Sequence, residues 1–268
     1  MTVLEIAFAI VTIALIVGSA HFIERRIKRF RVRLEEQIQT NQTGIDRTLW
    51  PQLEALISLY RIIDGQPTFP PMRRWAASPD VMLLLVRHVQ RSPVRTIVEC
   101  GSGTSTIILA HTLKNLNRDG HIYTIEDNPT FAEQLRTELN ARGLEDFVTV
   151  ITAPLTEKRY EGFEQVFHWY DLNGAPIPDN IDLLFVDGPF GKVNRYARFP
   201  AGPELLPKLA PQGHVFIDDA HRKDEAELGR LWRAYYPDLG VRKLDVEKGA
   251  IEMFFLDKKV ELFLQSAA

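Results

Sequence analysis

The sequence predicts an α/β fold built on a doubly wound, mostly parallel sheet. Three observations support this prediction. Short, strongly apolar runs recur between residues 96 and 217, and most of them end at a glycine or an acidic residue. Helical patterns separate most of these runs, as in the β-α-β units of a parallel sheet. Two further apolar runs near the end of the chain are joined through Lys248 and Gly249, which is the pattern of an antiparallel hairpin.

The composition excludes several classes of protein. The chain has 268 residues, of which 45% are hydrophobic and 25% charged, so it can bury one good-sized core. Its net charge is −3, so we expect no nucleic-acid partner, because a phosphate backbone is held chiefly by excess lysine and arginine. The single cysteine, Cys100, cannot form an internal disulfide, which favours a reducing compartment. We interpret Cys100 as a buried filler rather than a catalytic thiol, since no base is evident nearby in the sequence.

The N-terminal segment is an almost unbroken apolar run. Val3–Phe22 is long enough to cross a bilayer as a helix, and no basic residue precedes it. The basic residues crowd after it, at Arg25, Arg26, Lys28, Arg29, Arg31 and Arg33. This asymmetry predicts an uncleaved, single-pass transmembrane anchor over residues 1–22, with the remainder of the chain in the cytoplasm. A cleaved signal peptide and a buried core helix are the alternatives.

Residues 23–45 are predicted to form a helical stalk or linker. Apolar residues recur there at three- and four-residue steps, at Ile23, Ile27, Phe30, Leu34 and Ile38. Such a narrow stripe fits a coiled coil, which would make the chain a homo-oligomer, or a helix on a membrane surface. Residues 46–268 are assigned to one main domain, in which residues 46–92 form a helical cover.

The stretch Thr96–Ala110 contains the first strand, turn and helix of this domain. An apolar strand ends at Glu99, Gly101-Ser102-Gly103 makes a turn, and Thr104 and Ser105 begin a helix. Free backbone N–H groups and the positive end of the helix dipole meet at the turn. We therefore expect an anionic or strongly polar ligand there.

The later strands bring acidic residues to the same edge of the sheet. The strand His121–Ile125 ends at Glu126, and an acid in that place binds ribose hydroxyls in nucleotide-binding α/β folds. Asp187 follows the strand Ile181–Val186, and Asp218 and Asp219 follow the strand Gly213–Ile217. The remaining predicted elements are the helices Val81–Val89, Thr130–Arg142 and Glu225–Tyr236, the strand Phe147–Thr152, and the hairpin strands Val241–Val246 and Ala250–Leu256.

The acid-x-Gly-x-Gly-x pattern of Glu99–Thr104 resembles the first motif of class I S-adenosylmethionine-dependent methyltransferases. A dinucleotide fingerprint would need a third glycine where this chain has Thr106, which disfavours an NAD-dependent oxidoreductase. The phrases Val186–Gly191, Ala197–Pro200 and Ile217–Arg222 are similar to a group of these methyltransferases of uncertain substrate. The resemblance implies a Rossmann-like, seven-stranded sheet closed by the terminal hairpin, with S-adenosylmethionine as the cofactor.

The strand ends and the resemblance together give the candidate site residues. The predicted cofactor-binding residues are Glu99, Gly101, Ser102, Gly103, Thr104, Ser105, Glu126 and Asp187. Asp187 and His221 are the candidate catalytic bases that would remove a proton from the acceptor. Trp75 is a candidate lid residue, and Lys192, Arg195 and Arg198 are candidates to clamp an anionic acceptor.

Asp187, Asp218 and Asp219 could together hold a hard divalent cation such as Mg²⁺ through oxygen ligands. Catechol-type O-methyltransferases resemble this chain in having an acid after the fourth strand and an acid–amide pair after the fifth. Here Asp219 takes the place of the amide. The adjacent side chains of Asp218 and Asp219 are also expected to point apart at the end of a strand. The sequence therefore leaves open whether the site holds a metal.

The predicted function is the transfer of a methyl group from S-adenosylmethionine to an oxygen of a small or lipid-linked molecule at the cytoplasmic face of a membrane. The alternatives are an NAD-dependent oxidoreductase and a noncatalytic scaffold that keeps the fold and recruits partners through the stalk.

Overall fold

The computed structural model describes residues 2–44, 48–63, 68–72 and 75–256. The chain separates into two compact units, residues 1–51 and 52–268. The first unit is mainly the helix α1 (Val3–Gly44), which includes residues 23–44 of the predicted stalk, while residue 45 lies outside the described residues. Among the residues just given, no helix combines the length and the apolar character that crossing a bilayer requires. The predicted transmembrane anchor over residues 1–22 is therefore not found there.

The second unit is an α/β domain. The helices after α1 are α2 (Trp50–Ile62), α3 (Pro79–Arg91), α4 (Thr104–Asn115), α5 (Pro129–Ala141), α6 (Ala201–Leu205) and α7 (Lys223–Tyr235). The strands are β1 (Thr96–Cys100), β2 (His121–Glu126), β3 (Val148–Thr152), β4 (Leu155–Lys158), β5 (Phe167–Tyr170), β6 (Ile181–Val186), β7 (Leu209–Ile217), β8 (Leu239–Leu244) and β9 (Ala250–Phe255).

Seven of these strands form one sheet in the order β3-β2-β1-β6-β7-β9-β8. The neighbouring pairs β3–β2, β2–β1, β1–β6 and β6–β7 are parallel. Strand β9 runs antiparallel to both β7 and β8. This arrangement confirms the predicted Rossmann-like sheet with its C-terminal hairpin. Because β1, β2, β6 and β7 are parallel, their carboxyl ends meet at one edge, and this edge carries the predicted site residues.

Both faces of the sheet are covered, as a doubly wound fold requires. Alternate residues of a strand point to opposite faces, so Ile97 packs with α3 and α4 while Val98 packs on the other side. In β6, Phe185 points to the same face as Ile97 and Leu184 to the same face as Val98, and both side chains are fully buried. Burial on both faces explains why the central strands are continuous apolar runs instead of alternating patterns.

A separate two-stranded sheet pairs β4 with β5 in antiparallel register. The sequence predicts no strand at β5, which is only four residues long and lies in an aromatic-rich stretch. Phe167, Trp169 and Tyr170 are fully buried, while His168 between them is exposed. This strand places Tyr170 beside the candidate site.

Candidate active site

A cavity of about 540 Å³ opens at the carboxyl ends of β1, β2, β6 and β7. It is lined by Trp75, Gly101, Ser102, Glu126, Asp127, Asn128, Phe131, Tyr170, Asp187, Gly188, Pro189, Phe190, Arg198, Asp219 and Arg222. The sequence analysis placed the candidate site at this edge. The structure brings the glycine turn, the acid after β2 and the acids after β6 and β7 into one wall.

The floor of the cavity is a contact between two glycine turns. Gly101 has a φ angle of +87°, in the left-handed region that favours glycine. Gly188, which follows β6, lies against it, and a Cβ at Gly188 would come within 2.8 Å of the Cα of Gly101 and overlap the hydroxyl of Tyr170. The two backbones therefore meet with no side chain between them, which leaves the floor flat and open to a ligand.

Glu99 supports the turn from below and is fully buried. Its Oε2 accepts hydrogen bonds from the hydroxyls of Thr106 and Thr124, and the Thr106 hydroxyl in turn accepts one from the N–H of Gly103 at 3.0 Å. Burial raises the pKa of Glu99 to about 7, although the hydroxyl donors oppose the shift. Glu99 thus ties β1, β2 and the turn together without lining the cavity.

Glu126 does line the cavity, and neutral donors hold its carboxylate. Its Oε2 accepts from the hydroxyl of Ser102 at 2.7 Å and from the Ser102 N–H at 3.2 Å. Its Oε1 accepts from the N–H of Asn128 at 3.0 Å. A carboxylate offers about four acceptor positions, so capacity remains for hydroxyl groups of a ligand. The side chain of Asn128 caps α5 by accepting from the N–H groups of Thr130 and Phe131, which leaves Glu126 available.

The predicted cofactor residues thus divide into two groups. Those that line the cavity are Gly101, Ser102, Glu126 and Asp187, while Glu99, Gly103, Thr104 and Ser105 do not line it. In this second group, Ser105 is buried, and its side chain is one of the groups that oppose the rise in the pKa of Glu99. Only part of the predicted set therefore faces the space in which a ligand would bind.

Asp187, Asp218 and Asp219 form one acidic cluster, with an oxygen of each within 4.8 Å of the others. The expectation that Asp218 and Asp219 point apart is wrong. Asp219 has a φ angle of +60°, a left-handed conformation that breaks the alternation of the strand and turns its carboxylate toward the others. Burial and mutual repulsion raise the pKa of Asp187 to about 8 and the pKa of Asp218 to about 6. The positive charge of Arg198 acts in the opposite direction and lowers both pKa values.

Arg198 lies inside this acidic cluster, and only 3% of its surface is exposed. Its Nη2 donates to the Oδ1 of Asp187 at 3.0 Å and to the Oδ2 of Asp219 at 2.9 Å. Its Nη1 donates to the backbone carbonyl of Asp218 at 2.9 Å. The sequence predicts that Arg198 clamps the acceptor together with Lys192 and Arg195. The structure separates them, because Arg195 is exposed and Arg198 is buried against the acids.

Apart from Trp75 and Arg222, the residues that line this cavity fall in a stretch that matches a known family. The family model described as a methyltransferase domain matches residues 98–220, from β1 to the acids after β7. The chain thus carries a methyltransferase domain over these residues, and its fold is that of class I S-adenosylmethionine-dependent methyltransferases. No protein of curated function matches its sequence.

Three solved structures share the fold of this methyltransferase domain. The S-adenosylhomocysteine-bound methyltransferase of Podospora anserina is 14% identical, with a TM-score of 0.51 over 83% of this chain and 96% of that one. The O-methyltransferase of Bacillus cereus, in complex with S-adenosylhomocysteine, is 19% identical, with a TM-score of 0.51 over 80% and 96%. The Streptomyces achromogenes O-methyltransferase of tomaymycin synthesis, in complex with S-adenosylmethionine, is 18% identical, with a TM-score of 0.50 over 76% and 90%.

The NAD-dependent alternative is not supported. Thr106 stands where a dinucleotide-binding turn needs its third glycine, and its side chain is used to join Glu99 to the turn. At this position the methyltransferase domain therefore has a hydrogen-bonded threonine instead of the glycine that lets helix and strand pack closely.

Exposed aromatic rings stand at the mouth of the cavity. Trp75 and Phe190 pack edge to face with ring centroids 4.8 Å apart, and their exposed fractions are 68% and 44%. Phe131, on α5, also lines the cavity and is exposed. The predicted lid residue Trp75 thus lies where a lid would be, and large exposed rings at a cavity mouth indicate a binding surface.

Tyr170, Cys100 and His221 are three polar or titratable residues in or near the cavity wall. The hydroxyl of Tyr170 is buried in the cavity wall and has no hydrogen-bond partner among the described residues. Burial raises the pKa of the Cys100 thiol, so the sulfur stays protonated and fills space, as expected. His221 is exposed and packs beside Gly249 outside the cavity wall, so its predicted role as a base stays a prediction.

Proposed function

We propose that the methyltransferase domain transfers a methyl group to a hydroxyl oxygen of a small acceptor, with Asp187 as the general base. The observation that carries the proposal is the position and the raised pKa of Asp187, which lines the cavity with a pKa of about 8. A hydroxyl group must lose its proton when its oxygen is methylated. A base whose pKa lies near the working pH suits that transfer.

The residues present fit the adenosyl cofactor that the fold family implies. Glu126 has acceptor capacity toward the cavity, the buried hydroxyl of Tyr170 lacks a partner in the described chain, and the Gly101–Gly188 floor has no room for a Cβ. Glu126 and Ser102 would bind the ribose hydroxyls. S-adenosylmethionine, when bound, supplies an electrophilic methyl carbon whose bond to sulfur breaks as the bond to the acceptor oxygen forms.

The chain itself holds the acceptor and moves the proton. The carboxylate of Asp187 takes the proton from the hydroxyl, and its one hydrogen bond to a described residue is the one from Arg198 to Oδ1. Holding the acceptor beside the carboxylate of Asp187 accounts for much of the acceleration of methyl transfer, because the reacting groups are already positioned when the reaction begins. The aromatic mouth formed by Trp75 and Phe190 favours an acceptor with a flat apolar part.

The test is a comparison of the full chain with Asp187→Asn on a panel of small hydroxyl compounds, with release of S-adenosylhomocysteine as the readout. We expect turnover of at least one phenolic acceptor and a fall in kcat of about 10²- to 10⁴-fold in the variant, the range of general-base catalysis. Binding of S-adenosylhomocysteine should change little. Asp179→Asn is the matched control, since its side chain is 80% exposed and lies outside the cavity wall. Full activity of Asp187→Asn, or methylation of amines alone, would contradict the proposal.

We also propose that the domain works at the cytoplasmic face of a membrane, where a lipid-linked acceptor could reach it. The support is helix α1, whose apolar stripe of Ile23, Ile27, Phe30, Leu34 and Ile38 is exposed beside a basic cluster. Such a helix binds an anionic bilayer surface through both its stripe and its charge. Self-association through the stripe is the competing prediction.

Flotation of the full chain with vesicles of phosphatidylglycerol and phosphatidylethanolamine tests this attachment. We expect binding that weakens with salt and is reduced when Ile27 and Phe30 are both changed to Ser. Light scattering without vesicles measures self-association. A stable oligomer that ignores anionic vesicles would overturn the membrane proposal.

A further inference from the structure

We propose that Arg198 takes the place that the resemblance to catechol-type enzymes would give to a divalent cation, so that this methyltransferase works without a metal. The inference deepens the proposed function, because it assigns the positive charge of the site to a side chain. The acidic cluster offers the oxygen ligands that Mg²⁺ prefers, but the guanidinium of Arg198 lies within it.

The acidic cluster does not fit a metal. A divalent cation needs several free oxygen ligands that surround one point. Here Nη2 of Arg198 already bridges Oδ1 of Asp187 and Oδ2 of Asp219, so one oxygen of each carboxylate is bound to a guanidinium. Arg222 adds a second positive charge, 2.8 Å from the same oxygen of Asp219. A cation entering the cluster would meet like charge and would have to break these bonds.

The position of Arg198 is fixed by the core rather than by its charge alone. The neighbouring residue Phe199 is fully buried, and its carbonyl accepts a hydrogen bond from Nε1 of Trp232 at 2.9 Å. Gly202 packs so closely against the same indole ring that a Cβ there would overlap it. The backbone on the C-terminal side of Arg198 is therefore fixed, which holds the side chain against the acidic cluster.

Among the described residues, the hydrogen bonds of Arg198 all go to the acidic cluster. Nη1 and Nη2 bond to the carbonyl of Asp218 and to the carboxylates of Asp187 and Asp219, while the buried Nε has no hydrogen-bond partner among the described residues and lies 3.7 Å from Oε1 of Glu225. The two terminal nitrogens are therefore used inside the protein rather than on an anionic acceptor. The guanidinium holds Asp187 in place and offsets part of the negative charge, so the side chain of Asp187 is left to receive a proton.

This assignment changes how the acceptor hydroxyl is activated. In a metal-dependent reaction the cation lowers the pKa of the hydroxyl by binding its oxygen. The hydrogen bonds of Arg198 go to the acidic cluster, so it acts through Asp187 as a positioning residue. Proton removal then falls to Asp187, and chelators should leave the reaction unaffected.

The experiment measures metal binding directly on the full chain, by titration with Mn²⁺ and by melting with and without about ten millimolar Mg²⁺ or Ca²⁺. The wild-type protein should show no saturable Mn²⁺ binding and no rise in melting temperature with either ion. Arg198→Ala frees the carboxylates, so its lowered melting temperature should recover partly when Mg²⁺ or Ca²⁺ is added. Arg230→Ala is the matched control, because Arg230 is exposed and paired only on the surface of α7.

Saturable Mn²⁺ binding by the wild-type protein that Asp219→Asn weakens would overturn the inference. So would activity that is lost in EDTA and restored by Mg²⁺. If Arg198→Ala does not fold, the wild-type titration still decides the question. The metal titrations need no acceptor, so failure of the O-methylation proposal would be seen separately, in the acceptor assay.

Discussion

The two halves of the active-site edge hold their carboxylates in different ways. On the side of β1 and β2, Glu99 and Glu126 accept hydrogen bonds from neutral groups, namely threonine and serine hydroxyls and backbone N–H groups. On the side of β6 and β7, Asp187 and Asp219 share a guanidinium. The first arrangement suits recognition of a neutral ribose. The second fixes charge beside the place where we propose that a proton moves.

The largest expected difference between the halves is in stability. Arg198→Ala leaves buried acids without their cation, and removing one partner of a buried ion pair costs about 3–5 kcal/mol. For a domain of this size, the melting temperature should fall by about 10 °C. Thermal unfolding of the variant beside Arg230→Ala measures the effect. A loss no larger than that of the control would mean that the guanidinium does not hold the cluster together.

The next effect is on cofactor affinity and concerns the neutral half. Glu126→Gln keeps the shape of the side chain but removes the charge that ribose hydroxyls would bond to, and a hydrogen bond to a charged group contributes about 1.5–3 kcal/mol. We expect affinity for S-adenosylhomocysteine to fall by about 10- to 100-fold, as measured by calorimetry. Glu133→Gln, on the exposed side of α5, is the control. Equal affinities of both variants would remove Glu126 from the binding site.

The smallest effect concerns the support beneath the turn. Thr106→Val keeps the volume of the side chain but removes the donor to Glu99 and the acceptor for Gly103, which costs about 1 kcal/mol. The pKa of Glu99 should rise further, because a hydrogen bond to the charged form is lost. Chemical denaturation beside Thr137→Val, a surface control, measures the change. No difference between the two variants would show that Thr106 merely fills space.

The position of the site could be predicted because it follows from chain order. Glycines and acids that directly follow parallel strands must meet at one edge, so Gly101, Glu126, Asp187 and Asp219 could be placed together before any contact was known. The hairpin β8–β9 could be predicted for a similar reason, since Lys248 and Gly249 separate two apolar runs. Only its boundaries differ, and β8 begins at Leu239 instead of Val241.

The residues that sequence reasoning missed depend on distant partners. An arginine in a polar loop looks solvated, and nothing near Arg198 in the sequence shows that Trp232 fixes the adjacent backbone. The left-handed turn at Asp219 has no glycine to mark it, so the sequence left open whether the carboxylates of Asp218 and Asp219 converge or point apart. Tyr170 was overlooked because it ends a four-residue strand, which is too short for its pattern to distinguish it from a loop or a helix.

The most direct test of the account compares the affinities of S-adenosylmethionine and S-adenosylhomocysteine for the full chain at pH 6.5 and at pH 9. The two compounds share their amino-acid and nucleoside parts, so their ratio isolates the sulfonium charge. With its pKa near 8, Asp187 is mostly neutral at the lower pH and ionised at the higher, where it attracts the sulfonium. We predict that the ratio rises in favour of S-adenosylmethionine as the pH increases, and that this rise disappears in Asp187→Asn. A ratio that does not change with pH, or a chain that binds neither compound, would contradict the account.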